Sequence, residues 1–124
     1  MLVDDNPDDN FFHEREIKKT DPTNTVIAMS SGATALEYLQ SKKGPHSDLI
    51  FLDINMPGMN GWEFLEAYNH LDKELQSRAI IIMLTTSDNV DDVKKASSWN
   101  FISDYITKPL TKEIMAEIKD KYFE

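Results

Sequence analysis

Apolar runs alternate with segments of helical spacing along the whole chain. Residues 49–52 and 79–84 contain no polar side chain, and polar or turn residues follow each run at once. Runs of this kind are typical of strands buried on both faces, as in a parallel sheet that helices cover on both sides. Shorter strands are predicted at residues 1–3, 25–29 and 104–107.

Five helices are predicted between and after these strands. The first begins at Asn6, a good cap, with Pro7 at its first position and Asp8 and Asp9 placed to complement the helix dipole, which is expected to explain both acids. The predicted helices are 7–19, 33–42 with Ala33, Leu36 and Leu39 on one face, 62–71, a fourth marked by Val90, Val93 and Ala96, and a fifth capped by Thr111. Five strand–helix units predict an α/β fold, a doubly wound (βα)5 arrangement around a five-stranded parallel sheet.

Composition narrows the function classes. The 124 residues suffice for one domain with a real core, expected to occupy 1–124. Asp and Glu number 22 against 13 Lys and Arg, a net charge of −9, which argues against direct binding to nucleic acid or to an anionic membrane. There is no cysteine, which excludes disulfides and thiolate chemistry. Without a membrane span or signal peptide in the pattern, a cytoplasmic location is expected.

Polar side chains follow four of the predicted strands at the same end. Asp4 and Asp5 follow the first, Asp53 the third, Thr85 the fourth and Lys108 the fifth. Each alone is ordinary, since such residues are common in turns and caps. Because the carboxyl ends of parallel strands meet at one edge, where open α/β sheets bind ligands, the five are expected to converge.

Convergent carboxylates need compensation. Two of them repel by about 4 kcal/mol at about 4 Å in an intermediate dielectric. Protonation is one remedy, and a hard divalent cation such as Mg²⁺, which prefers oxygen ligands, is the other and the preferred one. An aspartate neutralised by metal can attack a phosphoryl group, with Lys108 on the phosphoryl oxygens and Thr85 donating a hydrogen bond.

These motifs resemble the receiver domain of two-component response regulators over essentially the whole chain. The matching features are the Asp4-Asp5 pair, Asp53 with Met56-Pro57 and Gly61 behind it, Thr85 after its apolar strand, and Lys108-Pro109. The resemblance implies a flavodoxin-like fold with strand order 2-1-3-4-5 and a cis peptide bond before Pro109. It implies a signalling switch rather than an enzyme that turns over a separate substrate.

The resemblance also implies a role for each site residue. Asp53 is the phosphoacceptor; Asp5, Asp53 and the backbone carbonyl of Asn55 bind Mg²⁺, with Asp4 acting through water; Lys108 pairs with the phosphoryl group; Thr85 and Tyr105 form the switch. The implied donor is a sensor histidine kinase or a histidine phosphotransfer protein, and an unidentified downstream protein reads the surface of helix four, strand five and helix five. The chain is expected to be a monomer or a phosphorylation-dependent dimer.

Three alternatives stay open. A receiver-like interaction module without phosphorylation would be expected to lack part of the acidic, Thr or Lys set, all of which is present. A phosphatase of the haloacid dehalogenase type would need an aspartate where Asn55 stands. A flavodoxin-type cofactor domain would need a phosphate-binding loop after strand one, where two aspartates lie instead.

The three histidines carry no chemistry in this interpretation. His13, His46 and His70 are scattered along the chain and are expected at the surface. Thr86 departs from the resemblance, since a small residue is usual there, and it is expected to narrow access to Asp53.

Overall fold

Five strands pair side by side, all parallel, into one sheet of order β2-β1-β3-β4-β5. The computed structural model describes residues 1–41, 48–71, 80–86, 89–99 and 102–123. The strands are β1 Leu2–Val3, β2 Ala28–Met29, β3 Leu49–Leu52, β4 Ile80–Thr85 and β5 Ile102–Thr107. The predicted fold class and strand order are therefore confirmed. The ends of the predicted segments at Lys42 and Ala79 lie outside the described residues.

The helices described between and after the strands begin at side-chain caps for physical reasons visible in the sequence. Asn6 accepts hydrogen bonds from the amides of Asp8 and Asp9, and Asn60 forms a reciprocal capping box with Glu63. Thr111 caps the last helix as predicted. The helices are α1 Pro7–Thr20, α2 Gly32–Ser41, α3 Gly61–Asn69, α4 Val90–Ser97 and α5 Lys112–Tyr122. In the part of the chain that the structure describes, none is long and apolar enough to cross a membrane.

The core lies on both faces of the sheet, as the unbroken apolar runs predict. Successive side chains of a strand point to opposite faces, so Ile50 and Leu52 pack in one cluster with Phe64 while Phe51 packs in the other with Leu110. All five are at most 3% exposed. This double burial holds β3 rigidly and fixes the residue that follows it.

Two helices bury only part of their apolar sequence pattern. On α2, Leu36 is buried and Leu39 packs against the core, whereas Ala33 is exposed and Ala35 is buried instead. On α4, Val90 and Val93 are 64% and 42% exposed, and Ala96 is the buried residue. Positions three apart turn by only about 300°, so a run at that spacing drifts around the helix and leaves the core face.

The short strands also differ from their predicted limits. The second strand is shorter than predicted, and Thr25 is exposed outside it. The fifth begins at Ile102, two residues earlier than predicted, because an irregularity in register lets Ile81 pair with Ile102 and Ile82 with Asp104. These differences lie away from the carboxyl edge, where the strand ends follow prediction. The peptide bond between Lys108 and Pro109 is cis, as expected.

Candidate functional site

Three carboxylates meet at the carboxyl edge of β1 and β3. Val3 and Leu52 are register partners, and the amide of Asp53 donates to the Val3 carbonyl at 3.0 Å. This pairing brings Asp4, Asp5 and Asp53 together, with one oxygen of each within 4.8 Å of the others. Asp4 and Asp53 are buried and Asp5 is exposed, so the cluster has a buried floor and one solvent-facing side.

Lys108, which follows β5, supplies the positive charge of this cluster. Its Nζ lies 2.6 Å from Asp4 Oδ2, 2.8 Å from Asp9 Oδ2 and 3.4 Å from Asp53 Oδ2. The amide of Lys108 donates to the Thr85 carbonyl at 2.8 Å, which anchors this residue beside β4. The ammonium therefore reaches across the sheet edge and joins β5 to β1, β3 and α1.

Asp9 is the member of this group that the sequence interpretation missed. Complementation of the helix dipole was expected to explain it fully, and that expectation is wrong because its carboxylate pairs with Lys108. The available signal was its spacing: Asp9 lies four residues after Asp5 and in the first turn of α1, close to the same sheet edge.

Thr85 completes the group around Asp53 from the other side. It is the last residue of β4 and is completely buried. Its side chain forms a hydrogen bond with the Asp53 carboxylate. The amide of Ile54 donates to Asp53 Oδ1 at 2.8 Å, whereas Lys108 approaches Oδ2. Three donors, from Thr85, Ile54 and Lys108, thus orient Asp53 at the carboxyl edge of the sheet.

Burial and charge act in opposite directions on this site. Burial raises the pKa of Asp53, the nearby charge of Lys108 and the Thr85 hydrogen bond lower it, and the Asp4 charge raises it; the net shift is upward. Burial lowers the pKa of Lys108, but the hydrogen bonds to Asp4 and Asp9 and the charges of Asp53 and Asp4 together outweigh it, and the pKa is raised. Lys108 is therefore a permanent cation, and the ionised Asp53 gains from any further positive charge.

Two glycines shape the loop that follows Asp53. Gly58 has φ of 79°, the left-handed region that glycine adopts without strain. The backbone amide of Gly61 donates a hydrogen bond to the Ile54 carbonyl at 2.8 Å. A Cβ added to Gly61 would lie 2.5 Å from the Asp53 carbonyl oxygen. Gly61 thus lets the start of α3 lie directly against the backbone of Asp53.

Asn55 and Tyr105 complete the set of predicted site residues. Asn55 is exposed in the loop after Asp53. Tyr105 lies in β5 opposite Met83, half-buried against the core cluster that includes Phe64. The metal role of the Asn55 carbonyl and the switch role of Tyr105 stay predictions, and Thr86, also exposed, stays a predicted restriction on access.

His13 is not at the surface, contrary to expectation. It is 2% exposed on the inner face of α1 and makes an edge contact with Phe12. His70 is exposed as expected, and His46 lies outside the described residues. Burial lowers the pKa of His13, the Lys108 charge lowers it further, and the charges of nearby acids oppose the shift without reversing it. His13 is therefore neutral in the folded protein at neutral pH.

This buried imidazole predicts a pH dependence of stability. Below about pH 6.5 the unfolded chain protonates His13 while the folded protein does not until lower pH, so the free energy of unfolding falls as the pH drops through this range. Urea unfolding at about pH 7.5 and about pH 5.5 measures the loss, which we expect to be smaller in His13→Gln than in the wild type. His70→Gln is the control and keeps the wild-type loss. An equal loss in His13→Gln would contradict the assignment.

Residues 1–119 match the family model described as "Response regulator receiver domain". The chain belongs to the response regulator receiver family. The receiver domain is 31% identical over 124 residues, all of this chain, to the transcriptional regulatory protein CitT of Halalkalibacterium halodurans. It is 28% identical over 122 residues, 98% of this chain, to the sensor histidine kinase GacS of Pseudomonas protegens. It spans 45% of the length of the first protein and 13% of the second.

A solved structure gives the same fold. The crystal structure of a two-component response regulator from Cytophaga hutchinsonii superimposes with a TM-score of 0.86 at 28% identity, covering 98% of this chain and 92% of that one. Receiver domains are signalling switches of two-component systems rather than classical enzymes. The recognition made from the motifs is therefore confirmed.

The acidic cluster of the receiver domain suits a divalent cation. The response regulator Rcp1, whose solved structure matches this chain with a TM-score of 0.70 at 27% identity, was crystallised in a Mn²⁺-bound form. Mg²⁺ and Mn²⁺ prefer carboxylate and carbonyl oxygens. Oxygens bound to one Mg²⁺ at about 2.1 Å lie about 3–4 Å apart, a little closer than the 4.8 Å limit found for Asp4, Asp5 and Asp53. The donor set therefore fits, with at most a small adjustment of these side chains.

Proposed function

We propose that this receiver domain, residues 1–124, accepts a phosphoryl group on Asp53 in the presence of Mg²⁺. The donor is a phosphohistidine on a sensor histidine kinase or a histidine phosphotransfer protein, and the reaction takes place in the cytoplasm. The observation that carries the proposal is the convergence of Lys108 and Thr85 on the buried Asp53 carboxylate. A cation and a hydroxyl donor on one aspartate are the groups that phosphoryl transfer needs.

The proposed phosphoryl transfer requires no reactant other than Asp53 and the phosphohistidine of the donor. A carboxylate oxygen of Asp53 forms a bond to phosphorus as the bond between phosphorus and the donor's imidazole nitrogen breaks. The electron pair of the broken bond stays on that nitrogen. Lys108 moves its ammonium onto a phosphoryl oxygen, and the Thr85 hydroxyl donates a hydrogen bond to another. These donors offset charge that develops away from the carboxylate.

The metal ligands proposed are Asp5, Asp53 and the Asn55 carbonyl, with Asp4 acting through water. When bound, Mg²⁺ supplies positive charge that offsets the repulsion between the carboxylates and an incoming phosphoryl group. Asp4 is held by Lys108 at 2.6 Å, which supports an indirect role for it. Asp5, exposed beside it, keeps the site open to solvent on one side.

The output of the switch is a change of surface. On phosphorylation the Thr85 hydroxyl changes its hydrogen-bond partner from the Asp53 carboxylate to a phosphoryl oxygen, and Tyr105 moves into the space beside β4. The surface formed by α4, β5 and α5 then changes, which alters binding of a downstream protein. This is a population shift between two states, driven by contacts that the phosphoryl group makes in one of them. The receiver domain acts as a monomer or as a phosphorylation-dependent dimer.

Incubation with acetyl phosphate tests this proposal through intact mass. With Mg²⁺ we expect the wild type to gain one phosphoryl group, and Asp53→Asn or wild type in excess chelator to gain none. Asp48→Asn is the matched control, since Asp48 is exposed immediately before β3 at the opposite end of the strand, and it should be phosphorylated normally. Phosphoramidate serves as a second small donor.

Two outcomes would contradict the proposal. One is a wild-type mass that neither donor changes in the presence of Mg²⁺, which would favour an interaction module without phosphorylation. The other is a full mass gain in Asp53→Asn, which would place the phosphoryl group elsewhere.

A further inference from the structure

The ammonium of Lys108 is shared unequally among three carboxylates. It lies closest to Asp4 and Asp9, at 2.6 and 2.8 Å, and farther from Asp53, at 3.4 Å. A lysine ammonium has three N–H donors, so each carboxylate can accept one of them. Asp53, the proposed phosphoacceptor, is therefore the most distant of the three carboxylates from Lys108 in the unphosphorylated protein.

The position of Asp9 is built into the fold. The Asn6 side-chain oxygen accepts from the backbone amides of Asp8 and Asp9 at 2.9 and 3.2 Å. The backbone amide of Asn6 donates to Asp4 Oδ1 at 3.0 Å. The side-chain amide of Asn10 donates to the Asp4 carbonyl at 2.9 Å. The first turn of α1 is thus tied to the segment after β1. Asp9 is held beside Lys108 by this turn, although its own side chain is 37% exposed.

We infer that Asp9 is a positioning residue that competes with Asp53 for Lys108. With Asp9 in place, the ammonium is drawn toward α1, and Asp53 is left with a long contact. This keeps the Asp53 carboxylate available to a divalent cation, because the ammonium and the cation compete for the same oxygens. When Asp9 loses its charge, Lys108 shifts onto Asp53 and opposes cation binding.

A consequence for signalling rests on the proposed function. On phosphorylation the contact between Lys108 and Asp9 breaks, and Lys108 contacts a phosphoryl oxygen instead. The contact with Asp9 breaks because Asp9 is more exposed than Asp4, so that water can replace the ammonium there. The ion pair between Lys108 and Asp9 therefore favours the unphosphorylated state. Removing the charge of Asp9 therefore raises the phosphorylated fraction.

Calorimetric titration with Mg²⁺ tests the inference on the whole chain. We expect Asp9→Asn to weaken Mg²⁺ binding about threefold to tenfold, the range of coupling between groups in one ion-pair network. Asp8→Asn is the matched control: it removes the same charge one residue away on an exposed side chain. It should change the affinity by less than about twofold, as expected for a screened surface charge.

A double-mutant cycle with Lys108→Met shows whether Asp9 acts through Lys108. In that background Asp9→Asn should have no more effect than Asp8→Asn, a result that a purely structural role of Asp9 does not predict. Equal affinities of Asp9→Asn and Asp8→Asn in the presence of Lys108 would overturn the inference. So would an Asp9→Asn effect that persists unchanged without Lys108. If Lys108→Met does not fold, the comparison of the two single variants still decides.

Phosphorylated fractions separate this inference from the proposed function. At subsaturating acetyl phosphate and saturating Mg²⁺, Asp9→Asn should be phosphorylated about twofold more than Asp8→Asn, and an equal fraction counts against the inference. If the wild type takes up no phosphoryl group at all, the proposed function fails, while the Mg²⁺ titrations still test the competition for Lys108.

Discussion

Replacing Lys108 with Ala should lower the free energy of unfolding of the metal-free protein by about 2 kcal/mol. Removing one partner of a buried ion pair typically costs about 3–5 kcal/mol, and the partial exposure of Asp9 to water reduces that cost here. The variant leaves the buried Asp4 and Asp53 without their cation. Urea unfolding in chelator measures the loss, and added Mg²⁺ should restore much of it, because the ion takes over part of the charge compensation.

Lys18→Ala is the control for this prediction. Lys18 is exposed on the opposite face of α1, so its removal should change the free energy of unfolding by less than about 0.5 kcal/mol. Lys108→Ala should also slow phosphorylation by acetyl phosphate at least about tenfold, since it removes a donor to the phosphoryl group. Wild-type stability in chelator, or no recovery with Mg²⁺, would contradict the electrostatic description of the site.

Gly61→Ala should destabilise the protein by about 2–3 kcal/mol, at the upper end of the usual cost of overpacking. The added Cβ would lie 2.5 Å from the Asp53 carbonyl oxygen and 2.9 Å from Ile54 Cα. Both are backbone atoms, so α3 or the segment after β3 must move. Because that segment carries the phosphoacceptor and a proposed metal ligand, Mg²⁺ binding should weaken as well.

Gly58→Ala separates crowding from backbone strain. Its φ of 79° strains an alanine, but nothing lies within 4 Å of the added Cβ. We expect a cost of about 1–2 kcal/mol and an unchanged Mg²⁺ affinity. Urea unfolding and calorimetry compare the two variants. If Gly61→Ala costs no more than Gly58→Ala, the close approach of α3 to Asp53 is not a constraint.

The sheet and the strand-end residues were predictable because their signals are local. An apolar run such as 79–84 specifies a buried strand, and parallel pairing then brings the polar residues at the strand ends to one edge. Neither step requires knowledge of helix packing. This is why Asp53, Thr85 and Lys108 could be grouped before any contact was known.

The inner face of α1 was not predictable in the same way. Asn10, His13 and Glu16 are buried there with Ile17, so the face that packs inward is largely polar. Hydrophobic periodicity treats such residues as exposed. One of their partners comes from a distant part of the chain: Glu16 accepts from the Lys112 amide at 3.3 Å, which adds a cap to α5. The spacing of His13 and Ile17, one turn apart, was the available signal.

On α4 the difference from the expected pattern is the reverse of that on α1, since apolar residues lie on its exposed face. Its three apolar residues indicate a helix but do not share one inward face, because spacing by three carries Val90 away from the face on which Ala96 is buried. Spacing that alternates three and four residues is what keeps a stripe on one face. Short helices offer too few positions to distinguish the two patterns.

Peptide mapping of the freshly phosphorylated protein tests the central claim most directly. After reaction with acetyl phosphate and Mg²⁺, acid digestion with pepsin and mass spectrometry locate the phosphoryl group. The modified peptides are expected to contain Asp53, and peptides carrying Asp4, Asp5 or Asp9 are expected to be unmodified. A phosphoryl group on one of those carboxylates, or on a hydroxyl side chain, would contradict the proposed role of Asp53.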